Sequence, residues 1–383
     1  MMRPLLIAAL GAALLVPRPL DAQHGRFPRR ILVALAGGVL AGSAAGLYAA
    51  LRDPQSDQGG CSSSGCVVPV TVAGGVLIGF MIGREMDQLY GLRYRTAPPI
   101  RLRGRELPLS IVPTDVWYDA RTVLVPGEDA MELVRADESL SSLGVRARGL
   151  RGMGPATASA ERNTLFVGTP VGLYRFQLAG DQPGTLAHAE EVSAVAQAGS
   201  QLALGTGPDV SVLRVRDSLE ALGDPVFESG RVVDLVWETN QLWVLTEDRL
   251  AAYNVTDDGL TEAGSHEFIA LARRVHLSQG MAAVALGSSG VMVLDVRNPA
   301  APREVGTWSG ARFAYDVVIR GTTMYVAAGP EGLYVLEIGA NGITPRGLAR
   351  DMGFIAALAS DDEALYVLDR TGGRLRRIAF LMP

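Results

Sequence analysis

Asp316-Val-Val-Ile-Arg-Gly-Thr-Thr-Met-Tyr-Val326, continued by Gly332-Leu-Tyr-Val-Leu336, is the stretch on which the fold turns. Two short runs rich in β-branched and aromatic residues flank a polar turn at Gly321, and a third follows the Pro330-Glu-Gly332 turn. That pattern reads as consecutive strands of one small antiparallel sheet. The same frame appears as Asp115 to Val125, Thr157 to Val167, Ala194 to Leu204, Asp234 to Val244, Arg274 to Val284 and Ala357 to Val367. It recurs every 37 to 42 residues. A period near 40 with several strands per unit is the sequence sign of propeller blades. Most runs are continuously apolar, as expected of strands covered on both faces by neighbouring blades.

Working outward, the last unit holds Ala357-Leu-Ala, Ala364-Leu-Tyr-Val-Leu368 and Arg374-Leu-Arg-Arg-Ile-Ala-Phe380, and then the chain stops at Pro383. It lacks a fourth strand. Ile100-Arg-Leu-Arg-Gly-Arg-Glu-Leu107 precedes the first full unit and is expected to supply it, so that no sheet edge stays open. The expectation is an all-β, seven-bladed propeller over residues 99–383, with four-stranded blades closed by pairing of N- and C-terminal strands.

Gly290-Val-Met-Val-Leu-Asp-Val-Arg-Asn-Pro-Ala-Ala-Pro-Arg-Glu-Val-Gly306 resembles the repeat of bacterial LVIVD-repeat proteins. The shared pattern is a strand, then Asp-x-x-x-Pro-x-x-Pro, then another strand. The unit ending in Pro345-Arg-Gly is a variant of it, and the other units are degenerate. Trp-Asp dipeptides at blade ends and double-glycine strands are absent. The resemblance implies an exported or surface-associated propeller with a binding role, and it carries no catalytic residues to transfer.

Upstream, Met1-Met2-Arg3 and an apolar run from Leu5 to Val16 end near Ala22, the pattern of a secretory signal over residues 1–22. Residues 23–98 read as an α-helical glycine-zipper hairpin and linker. Uncharged runs at 31–51 and 67–83 carry Gly38, Gly42, Gly46 and Gly75, Gly79, Gly83. Glycine at every fourth position lines one helix face and lets two backbones pack closely in a membrane. Between them, Cys61 and Cys66 sit in a Ser/Gly loop suited to a structural disulfide in an oxidising compartment. Arg26, Arg29, Arg30 and Arg84 flank the hairpin on the propeller side, which by the positive-inside rule points to a cytoplasmic propeller. The export signal and the cysteine loop point the other way. A hairpin in an outer or surface membrane reconciles them, and the expectation is a propeller outside the cytoplasm, in the cell envelope.

The chemistry is sparse. Net charge is −5 without a basic run, which excludes a nucleic-acid footprint. Four histidines and two cysteines offer no metal-ligand spacing, and no cofactor is expected. Phosphate-loop, dinucleotide and nucleophile-elbow motifs are absent in suitable settings. One column remains. Asp115, Thr157, Ala194, Asp234, Arg274, Asp316 and Ala357 open successive inner strands and should ring one mouth of the central channel, with His276 two residues beyond Arg274. Asp115, Asp234, Arg274 and Asp316 are candidate ligands for a cation or small polar molecule. The alternative is that each Asp holds neighbouring backbone N–H groups. The expected function is a non-enzymatic envelope scaffold binding a protein or ligand on its loops; the competing reading is a hydrolase or lyase at the channel mouth.

Overall fold

The computed structural model describes residues 97–380, apart from Ala120, Asp181 and Asn341. The segment read as a signal, the six glycines read as a zipper and Cys61 and Cys66 lie outside the described residues. Among the described residues no helix is long and apolar enough to cross a membrane.

The seven units found in the sequence fold as seven antiparallel sheets. Blades 1 to 6 occupy residues 117–146, 156–188, 194–227, 232–267, 274–308 and 316–349, with strands paired in chain order from the first, innermost strand to the fourth. In blade 3 the fourth strand is broken into Leu219–Ala221 and Val226–Phe227, both paired with the third. Blade 7 takes its inner three strands from residues 355–379 and its outermost, Arg105–Pro108, from the other end of the propeller. Glu106 lies opposite Arg376 and Leu107 opposite Leu375.

The closing strand is shorter than the sequence suggested. Ile100 does not join it; its N–H donates to Leu348 O on the outer strand of blade 6, and Leu348 N–H donates to Pro98 O. The Ile100 side chain fills the space above Gly347, which explains why that residue has no side chain of its own.

Second strands are the driest parts of the molecule. Thr122–Pro126 and Thr164–Thr169 are buried at every position. Their unbroken apolar runs follow from being enclosed by two neighbouring blades, and each core cluster correspondingly draws side chains from adjacent blades. Outer strands such as Arg303–Trp308 are mostly exposed. The third and fourth strands share a one-residue bulge in blades 1, 2, 4, 5 and 6. A bulge increases local twist, and here it recurs at the radius where each sheet must splay away from its neighbour.

Candidate functional site

The innermost strand of each blade has one edge hydrogen-bonded to the second strand and one edge facing the channel. Its channel-side N–H groups need partners, because an unpaired buried amide costs about as much as a lost hydrogen bond. Side chains of the preceding blade supply them. Asp234 Oδ1 accepts from Leu235 N–H at 3.0 Å, while its Oδ2 accepts from Val275 N–H of blade 5 at 3.1 Å. Asp316 repeats this with Val317 N–H and, at 2.8 Å, Leu358 N–H of blade 7. His276 Nδ1 accepts from Ile319 N–H of blade 6, which leaves Nε2 protonated to donate to Ser360 Oγ at 3.1 Å. Asp119 accepts from both Thr157 Oγ1 and Ala158 N–H of blade 2. In the reverse direction, Trp237 Nε1 donates to Ala196 O of blade 3. The channel wall is thus sewn from blade to blade by polar side chains.

A register shift between Val232 and Asp234 turns Asp234 toward its partner, and a matching shift lies between Ile355 and Ala357. Thr157 departs from the column assigned to it. Ala156 pairs with Val167 as Val275 pairs with Val284, so Thr157 corresponds to His276 and lies two residues further along its strand.

Asp115 and Arg274 do something different. Asp115 Oδ1 accepts from its own neighbour Val116, but Arg274 Nη2 donates to Asp115 Oδ2 across the channel, between blades 5 and 1. The guanidinium lies 4.0 Å from the Trp117 ring centroid, within cation–π range. Burial opposes its charge, yet Asp115, Asp234 and Asp316 outweigh that and hold Arg274 above its ordinary pKa. Burial pushes Asp234 up to about 6 and Asp316 up to about 7, with Arg274 pulling each back. Burial alone pushes His276 down to about 4, so the ring is neutral at physiological pH.

Asp234, Arg274, His276 and Asp316 line a cavity of about 280 Å³ at the centre of the ring, and Asp115 joins them through its bond to Arg274. The structure therefore brings Asp115, Asp234, Arg274 and Asp316 to one place, with Arg274 as their common cation. Trp117 and Gln197 also line the cavity, and Trp117 Nε1 and Gln197 Oε1 are buried there without a hydrogen-bond partner. Sequence reasoning missed both, because they sit at strand positions where an apolar residue would serve equally well. No group of three metal-ligating side chains occurs among the described residues.

No family model and no curated protein sequence matches the chain. Solved structures do. The chain is similar to one in "Crystal Structure of Mitotic Checkpoint Complex", with TM-score 0.62 and 14% identity over 75% of this chain and 98% of that one. It is similar also to the Myceliophteria thermophila Cps50 (Swd1) β-propeller domain, with TM-score 0.59 and 10% identity over 72% and 98%. At such identities the likeness concerns the fold: this chain is built as a seven-bladed propeller.

Proposed function

We propose that the propeller is a non-enzymatic protein-binding scaffold, exported and held at a membrane of the cell envelope by the glycine-containing segment at its N-terminus. The observation that carries the binding role is that large apolar side chains stand exposed at one end of the ring, Phe227 at the end of a fourth strand and Ile269 and Leu271 on a blade connection among them. Apolar side chains on an otherwise polar rim are the ordinary mark of an interaction surface. A structural neighbour that is part of a complex fits the same use of the fold. The envelope location rests on the signal-like N-terminus and on the LVIVD-like unit at Gly290–Gly306.

Two measurements test this reading. A photo-crosslinking amino acid placed in turn at both ends of the ring, at Ile269 and at Asn240, should give a polypeptide adduct in intact cells from at least one position. Adducts from neither would refute the scaffold. Added protease should cleave the propeller on cells with a permeable outer layer and an intact inner membrane; full protection there refutes export. Turnover of lactones or sugars, abolished by Asp234→Asn and Asp316→Asn, would replace the scaffold with an enzyme.

A second reading, a small polar ligand in the channel, is favoured by the unpartnered Trp117 Nε1 and Gln197 Oε1. A compound that co-purifies with the wild-type chain and is lost from Arg274→Met would support it. Identical small-molecule content in the two proteins would count against it.

A further inference from the structure

The exposed large apolar residues fall into two groups. Leu143, Leu186 and Val305 are on fourth strands, at the outer circumference. Phe227, Ile269 and Leu271 belong to the end of the ring where the inner strands begin, as do Val112, ahead of blade 1, and Val171, in the turn between the second and third strands of blade 2. Phe227 pairs with Asp209, the first residue of the third strand of blade 3. Phe268 N–H and Ala272 N–H donate to Asp248 O and Glu247 O, in the turn between the second and third strands of blade 4.

Those last two bonds fix the geometry. Phe268 and Ala272 are buried anchors, 8% and 3% exposed; between them Ala270 packs back on the core, while Ile269 and Leu271 on either side of it are turned outward. Ile269 is 110% exposed, more than in an extended reference chain, and Leu271 is 64% exposed. A connection free to be polar, as most are, instead holds two aliphatic side chains rigidly in solvent.

The surroundings are acidic. Glu247 and Asp248 hold the loop itself, Glu267 immediately precedes it, and Glu190 and Glu191 lie at the same end on the connection between blades 2 and 3, beside Arg231 of the connection between blades 3 and 4; all four glutamates and Asp248 are exposed. The nearest arginines are engaged: Arg231 pairs with Glu191 at 2.6 Å, and Arg273 lies over the Phe313 ring. Away from this arc the connections carry Arg148, Arg151, Arg350 and Arg370, also exposed. Phe227, Ile269 and Leu271 thus lie in the negative part of this end of the ring, while Val112 and Val171 stand outside it.

From this coincidence we infer that the arc formed by Phe227, Ile269 and Leu271 docks a basic peptide segment of a partner protein, apolar side chains seated on the three anchors and Lys or Arg facing the carboxylates. The inference rests on the scaffold reading and specifies its surface and the chemistry of its partner. Charge complementarity of this kind sets partner choice and encounter rate, while a few apolar anchors supply most of the affinity.

The test uses the full-length chain and fluorescent synthetic 14-residue peptides. One carries three Leu or Phe anchors among Lys residues; a second replaces every Lys by Glu; a third replaces every anchor by Ser. Only the first should bind. Ile269→Ser with Leu271→Ser, and separately Glu190→Lys with Glu247→Lys, should each weaken binding at least tenfold. Glu161→Lys, at the opposite end of the ring, should leave it unchanged. All these side chains are exposed, so unchanged melting temperatures verify that the variants fold. Equal binding of the Glu peptide, or wild-type affinity in the Ile269/Leu271 variant, overturns the inference. Self-association through this arc that the Lys peptide does not disrupt overturns it too, in favour of a second copy of the chain. Failure here is separable from failure of the scaffold: crosslinks from Asn240 but not Ile269 remove this surface and keep the scaffold, and crosslinks from neither remove both.

Discussion

At the scale of single residues, the channel carboxylates are held by hydrogen bonds and opposed by burial. Asp316 titrates near 7 in the fold and near ~3.9 in an unfolded chain. Its folded pKa is raised, so the native state binds the extra proton and stability rises as pH falls through 7. One such group contributes about 1.4 kcal/mol between pH 8 and 6. Urea unfolding should therefore show a more stable protein at pH 6 than at pH 8, and Asp316→Asn should flatten that difference while still offering an acceptor oxygen. His276 has the opposite sign. Its folded pKa is depressed to about 4, so the unfolded state takes up the proton first and stability is lost as pH falls below ~6.5. Replacing His276 by Asn should make the gain between pH 7 and 5 larger than in the wild type; a smaller gain would contradict this assignment. Arg274→Met removes the cation shared by three carboxylates and should move the Asp316 transition to higher pH, readable as a shift in the pH at which the unfolding midpoint changes.

At the scale of the strand and turn, the repeat explains its own motifs. Asp295 of the Asp-x-x-x-Pro unit accepts from Arg297 N–H at 3.1 Å and from its guanidinium, closing the turn between the third and fourth strands. Those hydrogen bonds, with the Arg297 and Arg303 charges, hold the Asp295 carboxyl well below the usual range. Glycines that open third strands are fixed by a different constraint. A Cβ on Gly332 would lie 2.0 Å from Ala349 O, and one on Gly290 would lie 2.1 Å from Trp308 O, both at positive φ. Gly321 also has positive φ, but open space around it. Gly332→Ala should therefore destabilise well beyond the ~1 to 2 kcal/mol that left-handed backbone alone costs at Gly321→Ala, a comparison made by chemical denaturation. The period and the strands were legible because each blade needs the same dry second strand and the same turn glycines. The blade-to-blade stitching was not. Asp234 and Asp316 recur in frame, but His276 and Asp119 perform the same task at other positions of their strands, so no single column of the sequence displays it. The Asp115–Arg274 pair spans 159 residues and follows only from the closed ring.

For the whole molecule, the decisive element is the seventh blade. Leu107 packs against the cluster shared by blades 7 and 1, around Val123 and Tyr366, and Glu106 pairs with Arg376 across the seam. Gly104 lies against the seam as well, where a Cβ would meet Arg377 O at 2.4 Å. Leu107→Asp sets a charge without a partner against that apolar cluster, at a half-buried position, and should open the ring there first. Limited proteolysis of the full chain should then cut within residues 355–379 before any other blade. Initial cleavage spread evenly over the blades would show that the seam is no weaker than the rest.

Glu106 and Arg376 are 270 positions apart, the two sides of that seam. A ribosome adds about 5 to 20 residues each second, so the strand made first waits roughly a quarter of a minute to a minute for its neighbour to exist. Through that interval Arg105–Pro108 is an unclaimed edge, and its adjacent Arg and Glu with a terminal proline are the composition that discourages strangers from pairing with it. Translation order thus gives the charges of this short strand a task before the fold is complete: keeping one place vacant for the last residues to arrive.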